Sequence, residues 1–309
     1  MSSTHHHAHH HAHHHARLRA LARAATAFLV LVTAGVLTAM PASGEEPRTQ
    51  ALPTPRQFTA HLDLECFRTD PYQPPTVSIL TRHINPVLAD LPDEVVTLGP
   101  RQQLCTPVAK NGILPPPEVL DFIRAVDLSC YRIQGQPVDR PLRLSHLNPQ
   151  LSGLPDRSVY ITYPEQLCVP VVKNGIYPPD YIRYLVSHID VKCYAEKPQV
   201  PLDKTLTLSH LNPVFSHFPR HNAYVSYNRQ LCVPVWKNNE PIPPDVFEIV
   251  RWIDLEKYDI QTPALPQPYN LRIDHINRSL TWLPTEPVTI YYGNQLMLPV
   301  AKNGLFPPG

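Results

Sequence analysis

Hydrophobic and polar residues alternate in short stretches of this chain, as in strands that bury one face. The clearest stretch is Ile189–Tyr194, and a second strand at Thr205–Leu208 runs into a His-Leu-Asn-Pro motif, where Asn-Pro marks a turn. Stretches matching the first occur at Leu62–Phe67, Val126–Tyr131 and Ile253–Tyr258, and stretches matching the second at Thr76–Leu80 and Arg140–Leu144. The alternation therefore predicts a mainly β fold in which one pattern returns four times.

A third strand, such as Ser158–Tyr163 or Val288–Tyr292, leads to a signature strand that begins at Gln166 and ends with Pro-Pro. The signature contains a proline, which cannot donate a ladder hydrogen bond, so we predict a sheet edge or a bulge there. It continues into Lys-Asn-Gly, a tight turn that needs a positive φ. One copy has Asn239 in place of the glycine, and asparagine also tolerates that conformation. The copies are Gln103–Pro116, Gln166–Pro179, Gln230–Pro244 and Gln295–Pro308.

A short helix is predicted after the prolines that end each of the first three signature copies. Asp180–Ser187 and Asp245–Trp252 each place their apolar residues on one face, and an acidic residue opens each helix, as the helix dipole favours. We therefore predict tandem β-rich modules of about 64 residues joined by short helices. We name the segments 58–117, 118–179, 180–244 and 245–309 repeats 1 to 4; residues 1–44 are a leader and 45–57 a linker.

The six cysteines follow the same repetition. Repeats 1, 2 and 3 each have one early and one late cysteine, whereas repeat 4 has Lys257 and Met297 at those positions. The two cysteines are lost together, as a bonded pair would be, because losing one partner leaves a stray thiol. Zinc is disfavoured, since no two cysteines have short metal-ligand spacing. Six cysteines allow 15 connectivities, and the repetition selects Cys66–Cys105, Cys130–Cys168 and Cys193–Cys232.

The first 44 residues have the order of a secretory signal peptide. Arg17, Arg19 and Arg23 precede an apolar run from Ala24 to Ala42, and small residues follow at the expected cleavage site. An uncleaved membrane anchor is the alternative. Nine histidines lie between His5 and His15, before the arginines of this leader; such a tract either binds metal or, as we favour, is a low-complexity extension that is discarded with the leader. A net charge of +1 indicates neither a nucleic-acid partner nor an acidic tail.

Three residue types recur at positions where they could contact a ligand. The histidines either bind a ligand or metal or, as we favour, cap the adjoining Asn-Pro turn. The aromatic residues either form an exposed row that stacks on sugars or, as we favour, pack against the linking helix. The lysines either bind an anionic polymer or, as we favour, lie solvated in a turn. The three sets are His83, His146, His210 and His275; Phe67, Tyr131, Tyr194 and Tyr258; and Lys110, Lys173, Lys237 and Lys302.

The combination of a Cys-Tyr strand with a Leu-Cys-Val-Pro-x-x-Lys strand resembles an uncharacterised family of repeats in secreted bacterial proteins. Repeat 2 carries the motif at Cys130, Tyr131 and Leu167–Lys173, and repeat 3 carries it at Cys193, Tyr194 and Leu231–Lys237. Repeat 1 has Phe67 for the tyrosine, and repeat 4 has neither cysteine. The resemblance implies an exported, non-enzymatic domain and offers no binding residues.

No catalytic motif is present in the sequence, neither a nucleophile elbow nor a His-Glu-x-x-His, P-loop or dinucleotide motif. We expect no enzyme activity, cofactor or metal. The expected function is that of an extracellular structural or binding array, with a cell-wall polymer or a protein as its unidentified partner, no nucleic acid, and a membrane only if the leader is uncleaved. The alternatives are cell-wall or glycan-binding modules and, third, a secreted hydrolase.

Overall fold

The computed structural model describes residues 51–309, and every structural statement below concerns those residues. They contain thirteen strands, four α-helices and a 3-10 turn at Pro213–Phe215. The strands are β1 (Leu64–Tyr72), β2 (Ser78–His83), β3 (Glu94–Thr97), β4 (Arg101–Lys110), β5 (Leu128–Arg132), β6 (Arg140–His146), β7 (Arg157–Lys173), β8 (Val191–Lys197), β9 (Pro201–His210), β10 (His221–Lys237), β11 (Leu255–Gln261), β12 (Tyr269–His275) and β13 (Glu286–Lys302). The helices are α1 (Pro55–Thr59), α2 (Pro117–Ile123), α3 (Asp180–Val186) and α4 (Pro244–Val250).

The mainly β fold and the short helices agree with the alternation in the sequence. Helix α1 begins at Pro55, inside the segment expected to be a linker. None of the helices in residues 51–309 is both long and apolar enough to cross a membrane. The leader and the histidine tract lie outside the described residues.

Eight strands form a closed antiparallel ring. Around the ring, each strand pairs with the next in the order β1, β4, β5, β7, β8, β10, β11 and β13, and β13 pairs with β1 again. Every repeat contributes two of these strands, the one with the early cysteine position and the one with the late position. Closure leaves these eight strands without a free edge.

Four of the five remaining strands join repeats that are two positions apart in the sequence, and the fifth, β3, pairs with β2. Strand β2 of repeat 1 pairs with β10 of repeat 3, and β9 of repeat 3 pairs with β4 of repeat 1. Repeats 2 and 4 exchange strands in the same way, β6 with β13 and β12 with β7. The strands of residues 51–309 are thus interlocked in one compact unit, and the module boundaries remain a prediction from the sequence.

The third and fourth predicted strands are continuous in repeats 2 to 4, where β7, β10 and β13 each have 17 residues. In repeat 1 the corresponding stretch is divided into β3 and β4. The signature proline marks a change of neighbour rather than a sheet edge. Strand β4 pairs with β5 up to Cys105 and with β9 from Val108, and Pro107 lies between them. Its missing N–H therefore falls where one neighbour ends and the next begins.

The Lys-Asn-Gly turns add hydrogen bonds between the repeats that exchange strands. Gly112 has a φ of 75° and Asn111 one of 52°, so both residues need the left-handed region. Asn111 N–H donates to Thr207 O at 2.7 Å, and Asn111 Oδ1 accepts from Thr207 N–H at 3.0 Å. Asn239 has a φ of 52°, as the sequence predicts. The turn asparagines of the other repeats bind Leu80, Arg143 and Arg272 in the same manner.

The apolar core has one central part and four outer parts. The central part contains the cysteines, Met297 and the buried faces of the four helices. The four outer clusters contain ring-strand residues together with residues of the exchanged hairpins. The three cysteine pairs that the repetition selects are joined by disulfide bonds, Cys66–Cys105, Cys130–Cys168 and Cys193–Cys232. Cys105 Sγ lies 3.7 Å from Cys130 Sγ, so neighbouring disulfides contact each other.

Candidate functional site

The recurrent lysines are buried in ion pairs, which contradicts the prediction that they lie solvated in turns. Lys110 pairs with Asp63 of the same repeat, and Asn148 of the next repeat donates to Asp63 Oδ2 at 2.9 Å. Each repeat has such a lysine–aspartate–asparagine cluster. In the cluster of repeat 4 the asparagine comes from repeat 1, because Asn85 donates to Asp254 Oδ2 at 2.8 Å, so the last repeat is linked to the first. The other three clusters are Lys173–Asp127–Asn212, Lys237–Asp190–Asn277 and Lys302–Asp254–Asn85.

These clusters fasten each repeat to the next. Burial raises the pKa of Asp254 to about 6 although the charge of Lys302 lowers it. Burial likewise lowers the pKa of Lys302, against the effect of Asp254. A buried pair of this kind is costly to break, because either partner alone would be an uncompensated charge. We therefore assign the recurrent lysines and aspartates to the scaffold and not to a ligand.

The recurrent histidine and the recurrent aromatic ring meet across repeats that are two positions apart. His83 Nε2 lies 2.9 Å from Tyr194 Oη, and His275 Nε2 lies 3.2 Å from Tyr131 Oη. His146 and Tyr258 form the third such pair, at 3.4 Å. In the fourth, Phe67 replaces the tyrosine beside His210, with ring centroids 5.5 Å apart.

Both favoured interpretations of these residues are therefore wrong. The histidines do not cap the Asn-Pro turn; the asparagine itself does, since Val87 N–H donates to Asn85 Oδ1 at 3.0 Å. The aromatic rings lie under the exchanged hairpins rather than against the linking helices. The rings also do not form an exposed row, because Phe67, Tyr131, Tyr194 and Tyr258 are all at most 1% exposed.

A lysine lies inside the ring where repeat 4 lacks its early cysteine. Lys257 Nζ donates to Gln103 Oε1 at 3.0 Å and to Gln166 Oε1 at 2.6 Å. Gln103 Nε2 donates in turn to Gln295 Oε1 at 2.8 Å. Burial lowers the pKa of Lys257 from 10.5 to about 7, although the charge of Glu165 raises it. The amine faces neutral amides, so its charge has no ion-pair partner among residues 51–309.

A cavity of about 320 Å³ opens between repeats 2 and 3. Ala125 lies in its wall, at the position where the other repeats have His61, His188 and Trp252. The corresponding spaces lined by His61 and His188 are about 80 and 10 Å³. We infer that the small side chain of Ala125 leaves this cavity open.

The walls of this cavity are mainly apolar. Val172, Ile182 and Val214 line it, and Ile176 and Tyr177 stand at its rim, 60% and 50% exposed. Its polar residues are already paired with one another. Lys173, Asp127 and Asn212 form the buried cluster described above, and Arg124 pairs with Asp121. The cavity therefore offers a ligand an apolar surface with few unpaired charges.

Sequence reasoning missed Ala125, the buried position of Lys257 and the contacts of His210. One signal points to each of them: at an aligned position, one repeat has a residue type that differs from the residues of the other three. The alignment of the repeats shows alanine among larger side chains, lysine among cysteines and phenylalanine among tyrosines. Sequence alone does not give the consequence, because the environment of each position is built by another repeat.

Comparison with protein-family models, with curated proteins and with solved structures finds no match to this chain.

Proposed function

We propose that this protein is an exported, non-enzymatic binding protein whose ligand pocket is the cavity beside Ala125. The observation that carries the proposal is an apolar cavity of about 320 Å³ in one of four otherwise similar places. Its volume lies within the range of small-molecule sites, about 300–1,000 Å³. Export is supported by the three disulfide bonds, which persist in oxidising compartments, and by the leader pattern and the resemblance to secreted bacterial repeats.

The pocket favours an uncharged ligand with a flat, mainly apolar ring system. A charged ligand would have to compete with ion pairs that are already formed at Lys173 and Arg124. A flat ring could instead lie against Val172 and Ile182 and contact the exposed ring of Tyr177. The interlocked strands keep this pocket formed in the absence of a ligand, which lowers the entropic cost of binding.

The test is a fluorescence titration with Nile red, an uncharged, flat, apolar probe. The wild-type chain should bind one probe with enhanced emission, and Ala125→Trp should abolish that binding while the chain remains folded. Tryptophan is chosen because Trp252 occupies the corresponding position of repeat 4. Equal binding by Ala125→Trp and the wild type would refute the pocket.

A matched pair of rim variants localises the contact further. Tyr177→Ser should weaken binding of the probe, whereas Leu114→Ser should leave the binding unchanged. Leu114 corresponds to Tyr177 in repeat 1 and is 59% exposed, but it is not part of the pocket wall. If both serine variants lose probe affinity to the same extent, the probe binds to exposed apolar surface in general and the proposal fails.

Glycan binding is a second candidate, favoured by three exposed tyrosines around α3. Tyr177, Tyr181 and Tyr184 are 50%, 36% and 42% exposed, and aromatic faces of this kind can stack on sugars. The buried Tyr131 and Tyr194 cannot serve that role from their present positions. Retention by peptidoglycan, chitin or cellulose that is lost in Tyr181→Ala with Tyr184→Ala, and kept in Ala125→Trp, would favour this candidate.

A further inference from the structure

The four histidine clusters share a common plan. Each contains the recurrent histidine and the residue eleven positions later on the same hairpin. From the repeat two positions away come the recurrent aromatic residue and the residue two positions before it. Corresponding positions can therefore be compared directly, as four versions of one buried polar site.

In three clusters a buried or half-buried carboxylate is paired with a lysine or an arginine. Glu94 pairs with Lys192, and Glu256 pairs with Arg157. In the cluster of His275, Arg101 Nη1 donates to Glu286 Oε2 at 2.8 Å. Each of these carboxylates is thus neutralised by a lysine or an arginine, which a buried charge requires.

The fourth cluster, that of His210, departs from the other three at two positions. Its carboxylate, Glu65, is 0% exposed, and the charged residues within reach are histidines. The residue eleven positions after His210 is His221, where the other clusters have Glu94, Arg157 and Glu286. Phe67 removes the hydroxyl that binds the histidine in the other three. His221 and Phe67 therefore stand where the cluster of His146 has Arg157 and Tyr258, and two imidazoles converge on one carboxylate.

The three side chains have the spacing of metal ligands. Glu65 Oε1 lies 3.1 Å from His221 Nε2, and Glu65 Oε2 lies 3.5 Å from His210 Nε2. All three ligand atoms lie within 4.8 Å of one another. Tetrahedral ligands at 2.0–2.1 Å from an ion would be about 3.3 Å apart, so only small side-chain movements are needed.

The surroundings of the ligand atoms also fit a metal site. His221 Nδ1 lies 3.3 Å from Pro219 O, so the ring can donate its Nδ1–H to this carbonyl and present the lone pair of Nε2 to a metal ion. His210 is flanked by Phe67 and Phe218 and has no hydrogen-bond partner on either nitrogen among residues 51–309. A cavity of about 40 Å³ adjoins the three side chains, enough for an ion and a water ligand.

We propose that Glu65, His210 and His221 bind a divalent transition-metal ion such as Zn²⁺. Two histidines and one glutamate are a known zinc ligand set that leaves a fourth position open. The ion supplies the positive charge that Lys192, Arg157 and Arg101 supply in the other clusters. This site is independent of the cavity beside Ala125, because the two share no lining residue.

Thermal unfolding of the full chain with and without Zn²⁺ tests the proposal. An ion that binds only the folded state raises Tm, by about 5–10 °C at a zinc concentration near 100 times Kd. Glu65→Gln and His221→Ala should lose this rise. Metal held by the nine N-terminal histidines is common to all variants and cancels in the comparison. The control is His146→Ala, which removes the corresponding half-buried histidine of repeat 2 and should keep the rise.

A second variant guards against simple misfolding. Phe67→Tyr restores the hydroxyl that the other three clusters carry, and it should bind His210 as Tyr194 binds His83. We expect a zinc-free Tm near that of the wild type and a zinc affinity about five- to tenfold lower, the effect of one competing hydrogen bond. The proposal is overturned if the wild type shows no rise, if His146→Ala loses as much of it as His221→Ala, or if Phe67→Tyr binds zinc as tightly as the wild type.

Discussion

Replacing Lys257 with methionine should stabilise this protein at mildly acidic pH. The side chain is fully buried inside the ring, and its Nζ contacts the amide oxygens of Gln103 and Gln166 rather than a carboxylate. Methionine has a similar length and also occurs nearby, at the late position of repeat 4, as Met297. The substitution therefore removes a buried charge without emptying the core.

The magnitude follows from the pKa of Lys257, which burial lowers from 10.5 to about 7. Each pKa unit corresponds to about 1.36 kcal/mol, so the charged form is destabilised by folding by up to about 5 kcal/mol. The variant leaves Gln166 Oε1 without its donor, at a cost of about 1–3 kcal/mol. Gln103 Oε1 still faces Gln166 Nε2, at 3.4 Å. We expect a net gain in unfolding free energy of about 2–4 kcal/mol at pH 6, where the wild-type lysine is charged.

The gain should disappear as the pH rises. Between pH 7 and 10.5 the unfolded lysine keeps a proton that the folded lysine has released, so the wild type becomes more stable with increasing pH. The methionine variant lacks this contribution. By pH 10 the folded lysine is neutral and its hydrogen bonds are favourable, so the variant should be equal to or less stable than the wild type.

Urea unfolding of both proteins at pH 6 and pH 10 measures the effect, because the difference between them cancels every other titrating group. Lys302→Met is the matched control. It also removes a buried lysine, but it leaves Asp254 unpaired and should lower stability by about 3–5 kcal/mol near neutral pH. If Lys257→Met is less stable than the wild type by the same amount at both pH values, burial of the charged lysine does not destabilise the folded protein and the reasoning is refuted.

Three further predictions concern the scaffold. Replacing Cys193 and Cys232 together with alanine should lower the unfolding free energy by about 4 kcal/mol in guanidinium, because the bond closes a loop of 39 residues; an unchanged midpoint would contradict this. Asn85→Ala removes hydrogen bonds to Asp254 Oδ2 and Arg251 O and should lower Tm by several degrees, whereas the exposed Ser216→Ala should not. Gly293→Ala would place a Cβ on the buried carboxylate of Glu65 and should cost about 1–3 kcal/mol in urea, while Gly153→Ala, with open space around it, should leave the midpoint unchanged.

The sequence by itself determined the local structure of this protein. Alternation predicted the strands, Pro-Pro pairs located three of the four short helices, and Asn-Gly indicated the turns with positive φ. The disulfide pairing could also be inferred, because both cysteines are missing from the same repeat. These features depend on residues close together in the chain or on a comparison between repeats.

The tertiary structure alone decided which repeat pairs with which. Backbone hydrogen bonds are the same for every residue, so the sequence of β2 does not reveal that its partner is β10 rather than a neighbouring strand. That pairing determines where the side chains point. It buries Tyr194 beside His83, and it brings His210 and His221 of repeat 3 to Glu65 of repeat 1.

The recurrent lysines show the same limit. Lys110 follows a strand and precedes a turn, which in sequence is typical of a solvated side chain. In the folded chain it lies under the next repeat, against Asp63 and Asn148. Burial is a property of the whole closed ring, and the residues that cover a given lysine are about 40 or more positions away in the sequence. Local pattern therefore determined the elements, and closure of the ring determined their environments.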